Sequence, residues 1–275
     1  MLNRWLHTRF PYLRRAITRR WYEYISTLDK DANVLFMNYG YADLDPDARR
    51  LELLAEDEKH RYAAQLYHHV ASAIDWAGLE ALEIGAGRGG GACYILRRFG
   101  PKSIVGTDLA VRAMHFCNRH YSMPGLSFAV GDAGCLTFPD HSFDVIINVE
   151  SSLYYPDVER FFGEVARVLK PNGYFLYADM RYIDEVDHWR AQLRNTGLQL
   201  LSEENLTLNV IKALALDYER KLRLIDQYAP RLLRKPFNEF AGMTGASLTR
   251  GSPKDGERIY LNFLFRKQFS YLGVA

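Results

Sequence analysis

Between residues 81 and 91 the chain reads Ala-Leu-Glu-Ile-Gly-Ala-Gly-Arg-Gly-Gly-Gly. Glu83 precedes Gly85, Gly87 and Gly89 at alternate positions. Glycines so spaced let the backbone turn tightly and approach a ligand where a Cβ would stand in the way. Asp108 lies 19 residues past Gly89, where an acid at the tip of the next strand can accept both hydroxyls of a ribose. The order is E-x-G-x-G-x-G, not the G-x-G-x-x-G of dinucleotide sites. A carboxylate that close to the turn repels a pyrophosphate. The chemistry to expect is the binding of a nucleoside whose other end is cationic or zwitterionic.

These residues need elements to hold them. A strand at Leu82–Gly85 and a helix at Gly90–Phe99 flank the glycine turn. Strands are predicted at Ser103–Asp108, Leu126–Val130, Phe143–Val149 and Tyr174–Asp179, with helices at Ala110–His120 and Val158–Leu169 between them. Strands alternating with helices mean a parallel sheet with right-handed crossovers. Glu239–Thr249 and Arg258–Lys267 read as a closing antiparallel hairpin, and residues 184–235 as a helical cap without a strand. Ahead of the sheet come a helix over about Glu56–Ile74 and an aromatic loop at 33–45, closed by Pro46. The domain division expected is a helical arm with lid loop at 1–55 and the α/β domain at 56–275.

Composition narrows the classes. The 275 residues are 48% apolar, enough for a large core, and the net charge of +2 argues against a general nucleic-acid binder. Cys93, Cys117 and Cys135 are too few and scattered for a disulfide frame or a metal cluster. They read as buried thiols of a reducing cytoplasm, with no metal expected. No apolar run reaches the length of a membrane span. At the N-terminus Arg4, Arg9, Arg14, Arg15, Arg19 and Arg20 alternate with Trp5, Leu6, Phe10, Tyr12, Leu13, Ile17, Trp21, Tyr22 and Tyr24. From Pro11 the spacing suits an amphipathic helix. Plain packing on its own domain is one reading; among the functional ones, an active-site lid or a contact between identical subunits is favoured over a membrane surface.

The glycine run and its partner acid resemble the first motifs of the class I S-adenosylmethionine-dependent methyltransferases. That cofactor has an α-amino group, a sulfonium and no phosphate. The resemblance implies a Rossmann-like seven-stranded sheet, with the Gly85–Gly89 turn around the methionine part of S-adenosylmethionine. Glu83, Gly85, Gly87, Gly89, Asp108 and Leu109 would hold that part and the ribose. Asp132 and Ala133 would meet the adenine, although Asp132 also suits a simple turn. Asn148 and Glu150, after strand four, would lie beside the transferred methyl.

Several segments resemble a narrower group, the phthiotriol dimycocerosate methyltransferases, which O-methylate lipidic polyketides. They are Phe36-Met37-Asn38-Tyr39-Gly40-Tyr41, Leu66-Tyr67-His68, Gly89 to Tyr94, Asn148-Val149-Glu150 and Tyr177-Ala178-Asp179-Met180-Arg181. The Tyr-Gly-Tyr loop is also similar to that of sterol C-methyltransferases. The broader group includes an enzyme that C-methylates the geranyl chain of an indole alkaloid and so triggers ring closure. The O-methyltransferases usually carry a histidine where this chain has Leu153. An alcohol must lose its proton to a base, whereas an alkene offers its π-bond and leaves a carbocation that aromatic faces stabilise. Tyr22, Tyr39, Tyr41, Tyr154, Tyr155 and Tyr177 are candidates for such faces, and His68 and Asp179 for a base. The expected acceptor is a large apolar molecule, a prenyl or terpenoid alkene first and a lipidic hydroxyl second. A non-methylating binder or cyclase with a structural cofactor is the alternative from another class.

Overall fold

The computed structural model describes residues 9–29, 31–240 and 257–268. A seven-stranded sheet forms its centre, in the order β3-β2-β1-β4-β5-β7-β6. The strands are β1 (Glu80–Ile84), β2 (Ser103–Asp108), β3 (Leu126–Val130), β4 (Phe143–Val149), β5 (Leu169–Tyr182), β6 (Gln199–Asn205) and β7 (Arg258–Arg266). The first five are mutually parallel, and β7 runs antiparallel to both β5 and β6. The order reverses between β1 and β4, so a crevice opens beyond the carboxyl ends of these two strands.

Among the described residues, nine longer helices flank the sheet. α1 (Pro11–Leu28) is the arm, α2 is Arg61–Ala71, α3 is Gly90–Phe99 and α4 is Val111–His120. They are followed by α5 (Val158–Val168), α6 (Val186–Arg194), α7 (Thr207–Leu216), α8 (Tyr218–Tyr228) and α9 (Arg234–Phe240). One face of the sheet buries Ala81, Val145 and Ile147 with residues of α2, α3 and α4, such as Leu66, Ile95 and Met114. The other face buries Leu82, Ile84 and Ile146 with Phe161 and Phe162 of α5 and Trp189 of α6. Alternate residues of β1 thus serve opposite cores, as strand geometry requires. A third, smaller cluster joins Ile25 of α1 to Ile225, Ala229 and Phe237.

The antiparallel pair at the sheet edge is present, but its first strand is β6, inside the stretch expected to be wholly helical. Every residue of β6 is exposed, so no alternation of apolar and polar residues marks it. Residues 234–240 are helical, and the remainder of the expected strand, 241–249, lies outside the described residues. The helix expected at 56–74 is a single turn, Ala55–Glu58, followed by α2. Cys93 and Cys117 are buried, but Cys135 is exposed, because it stands in the turn after β3 at the crevice rim.

Candidate active site

The crevice holds a cleft of about 1270 Å³, its mouth included. Its floor is the turn after β1. Gly85 and Gly87 adopt φ of +79° and +55°. A Cβ on Gly85 would run into the Ser151 hydroxyl, and one on Gly87 into the Met37 methyl. The glycine spacing is therefore a steric requirement of the wall itself as well as of a ligand. The Gly85 and Ala86 N–H groups both donate to the Thr107 carbonyl, at 2.7 and 2.9 Å, which sets the turn against the end of β2.

Asp108 ends β2 half exposed to the cleft. Its carboxylate accepts the Gly87 N–H at 3.0 Å and the Ala110 N–H at 2.9 Å. Burial pushes its pKa up, and hydrogen bonds from the Ala110, Gly87 and Leu109 N–H groups pull it back. Leu109, Asp132 and Ala133 continue the same wall. Asp132 accepts the Gly134 N–H at 3.0 Å through one oxygen, and its other oxygen pairs with Arg15 of the arm. The Asp108 carboxylate with its free lone pair and the glycine cradle fit a nucleoside that carries no phosphate.

Across the cleft, Glu150 follows β4 in a left-handed conformation, φ +51°. A non-glycine residue held there stores strain, which the surroundings must enforce. The Tyr39 N–H does so by donating to both carboxylate oxygens, at 2.9 and 3.0 Å. Burial raises the Glu150 pKa and lowers that of the neighbouring buried Lys221. Tyr154 and Tyr155 also line the cleft. The Tyr155 hydroxyl lies 2.8 Å from that of Ser151. Tyr22 of α1 meets the Tyr154 ring edge-on, with centroids 6.4 Å apart, and Arg14 stacks on the same ring and donates to the Leu153 carbonyl at 2.5 Å. The arm thus closes one side of the cleft. Its residues Arg4, Trp5 and Leu6 lie outside the described residues.

Other expected site residues are placed elsewhere. Glu83 is fully buried beneath the turn and accepts the Tyr67 hydroxyl at 2.5 Å. It shares the sheet face of Ala81, so it points into the core and not into the cleft. Gly89, φ +79°, starts α3 against the Phe128 ring. Asn148 is buried and donates to the Ile84 carbonyl at 2.8 Å, holding the β1 turn from behind. Asp179 does not reach the cleft as a base. It is fully buried and accepts the Ser152 hydroxyl at 2.6 Å and the Leu153 and Met180 N–H groups. Tyr177 is also fully buried and bonds Arg181 and Trp189. His68 lies on α2 in a separate depression, 3.0 Å from the Tyr94 hydroxyl, with its pKa lowered by burial and by Arg98. Tyr41 stacks on His69, with centroids 4.3 Å apart, and Tyr39 faces a second cavity. No histidine lines the cleft among the described residues.

Sequence reasoning missed Arg88. Arg88 is fully buried in the glycine turn and pairs with Asp29 at 3.0 Å. It also donates to the Val34 and Asp29 carbonyls and stacks on Phe116 at 3.7 Å. It ties the turn to the end of the arm. An arginine between glycines was the available signal.

Comparison with known proteins agrees with this geometry. Residues 82–177 match the family described as "Methyltransferase domain". The chain is 37% identical over 253 residues to the phthiotriol/phenolphthiotriol dimycocerosates methyltransferase of Mycobacterium tuberculosis, covering 92% of this chain and 93% of that one. It is 41% identical over 213 residues to a fatty-acid O-methyltransferase of Mycolicibacterium smegmatis, covering 78% and 77%. The fold is shared with the [4+2]-cyclase SpnF, at a TM-score of 0.68 and 20% identity over 92% of this chain and 96% of that one. It is also shared with the geranyl diphosphate C-methyltransferase of Streptomyces coelicolor A3(2), at a TM-score of 0.64 and 17% identity over 92% and 97%. With the glycine cradle and Asp108 in place, the chain is an S-adenosylmethionine-dependent class I methyltransferase and belongs to the phthiotriol/phenolphthiotriol dimycocerosates methyltransferase family.

Proposed function

We propose that this enzyme methylates an alkene carbon of a large apolar acceptor, of the prenyl or terpenoid kind. The observation that carries the reading is that, among the described residues, no histidine lines the cleft. The resemblance to the O-methyltransferases implies a histidine where this chain has Leu153, and Tyr22, Tyr154 and Tyr155 line the cleft with Glu150. S-adenosylmethionine supplies an electrophilic methyl group on sulfur. Gly85, Gly87, Asp108, Leu109, Asp132 and Ala133 would hold it, and the strained Glu150 would face the reacting end. The aromatic rings exclude water and offer π-faces to developing positive charge. Most of the rate enhancement then comes from alignment. An acceptor cation so formed can close a ring before it loses a proton.

O-methylation of a lipidic hydroxyl is the second reading. The names of the two relatives favour it, and Glu150 is the acid that could take the proton. A non-methylating cyclase remains the reading from another class, in line with the SpnF fold. The arm is proposed to act as a lid and, through its outer face, as a contact in a homo-oligomer.

The test is the rate of methyl transfer in a single turnover with methyl-labelled cofactor. For an alkene it should stay nearly flat from about pH 6 to 9, since no ionised base is needed. A rise with one clear midpoint in that range overturns the alkene reading in favour of a hydroxyl acceptor. Absence of S-adenosylhomocysteine while the acceptor is consumed would point to the cyclase.

A further inference from the structure

A second cavity, of about 770 Å³ with its mouth included, lies between the end of α1, the loop at 34–39, α8 and α9. Ile25, Leu28, Val34, Leu224, Ile225 and Phe237 form its apolar walls. Asn38 donates from Nδ2 to the Ala63 carbonyl at 3.3 Å, and its Oδ1 is buried without a hydrogen-bond partner; the other polar groups on those walls are engaged. Asp29 accepts the Asn33 and Val34 N–H groups and pairs with Arg88. Arg220 holds Asp217 through two hydrogen bonds, at 2.6 and 2.5 Å. The Lys221 ammonium lies over the Tyr39 ring at 5.6 Å and 3.4 Å from the Tyr39 carbonyl. Apart from that oxygen, what remains for an occupant is hydrocarbon contact.

The cavity adjoins the cofactor cleft. Phe36, Met37 and Asn38 line both, so one strip of chain separates the two spaces. Met37 is the movable part of that strip. Its unbranched thioether side chain lies against Gly87 and can change rotamer at low cost. The walls come from the arm, the loop and the helices between β6 and β7, not from the strands that build the cofactor site.

We propose that this cavity receives the hydrocarbon chain of the acceptor, acyl or isoprenoid, while the reacting end lies in the cleft beside Tyr154. Displacement of Met37 joins the two spaces. The inference rests on the apolar-acceptor reading above.

The full-length protein is titrated with cis-parinaric acid, a fluorescent fatty acid, with farnesol as an uncharged competitor. S-adenosylhomocysteine binding is measured separately by calorimetry. Leu224→Trp and Leu28→Trp fill the cavity from two different helices, so one folded variant suffices. Each should weaken parinarate binding by about tenfold or more, about 1.4 kcal/mol, and leave S-adenosylhomocysteine affinity within about twofold. Farnesol should displace the probe, and saturating S-adenosylhomocysteine should not. Unchanged probe binding in the folded variants overturns the proposal. So does displacement of the probe by S-adenosylhomocysteine, which would put the chain in the cofactor cleft. Failure of S-adenosylhomocysteine to bind the parent protein would instead count against the cofactor site, and the probe data would still decide the cavity.

Discussion

Asp108 gives two oxygens to the Gly87 and Ala110 N–H groups and still faces the cleft. With the Leu109 N–H also bonding this carboxylate, one lone-pair site is left, enough to accept a ribose hydroxyl. Asp108→Ala should therefore weaken S-adenosylmethionine binding by about 1.5–3 kcal/mol, the range for hydrogen bonds to a charged group. Calorimetry that shows unchanged affinity would remove Asp108 from the site. Glu83 makes a different prediction, because it is buried. Burial pushes its carboxyl up to about 7, against the Tyr67 hydrogen bond that pulls it down. The folded protein therefore keeps this proton to about pH 7, whereas the unfolded chain releases it near 4.5. The folded state binds more protons in that window, so stability falls as pH rises through it and stays reduced above. Glu83→Gln removes the ionisation. It should be more stable than the parent by about 2–3 kcal/mol at pH 8 and differ little at pH 5. Urea unfolding at the two pH values checks both arms, and an equal gain at both would mean that packing, not ionisation, is responsible.

At the scale of elements, the cofactor turn is anchored at one end by β1 and at the other by the Arg88–Asp29 pair, both residues fully buried. Removing one partner of such a pair strands the other charge. Arg88→Met should cost about 3–5 kcal/mol of stability and also weaken cofactor binding by loosening Gly87. A denaturant midpoint equal to that of the parent would show that the pair anchors nothing. The turn itself was legible in the sequence, because glycines at positive φ leave a fixed spacing and the strand and helix patterns flank it. β1 to β5 and their helices followed from the same alternation. β6 was not legible, since an edge strand with every residue exposed carries no period. Glu83 and Asp179 were recognisable as acids near strand ends, but spacing alone does not say which acid has its lone pairs already taken. Glu83 shares its face with Ala81, and Asp179 is held by Ser152 and Leu153. Arg15 reaching Asp132 joins residues 117 positions apart, a contact that depends on where the arm folds back.

The whole molecule places an arm with two different faces over the cleft. The inner face carries Arg14, Arg15 and Tyr22 to Leu153, Asp132 and Tyr154. Away from the cleft, Leu13 and Ile17 of this helix and Phe10 just before it are between 44% and 52% exposed. Three large apolar side chains so close together are more than a solvated surface needs, and such patches mark contact sites. Arg20, also exposed on this helix, would keep that contact specific through charge. If the outer face meets another copy of the chain, assembly holds the lid shut and keeps water from a cationic intermediate. Leu13→Glu with Ile17→Glu should then lower the mass in solution, read by light scattering, and reduce turnover several-fold. The melting temperature of the α/β domain should change little, because these side chains are outside its core. Arg14→Ala alters the inner face instead, so it should reduce turnover without changing the mass. The two variants separate the lid from the contact. A doubly substituted arm that keeps both parental mass and parental turnover would confine the helix to packing on its own domain.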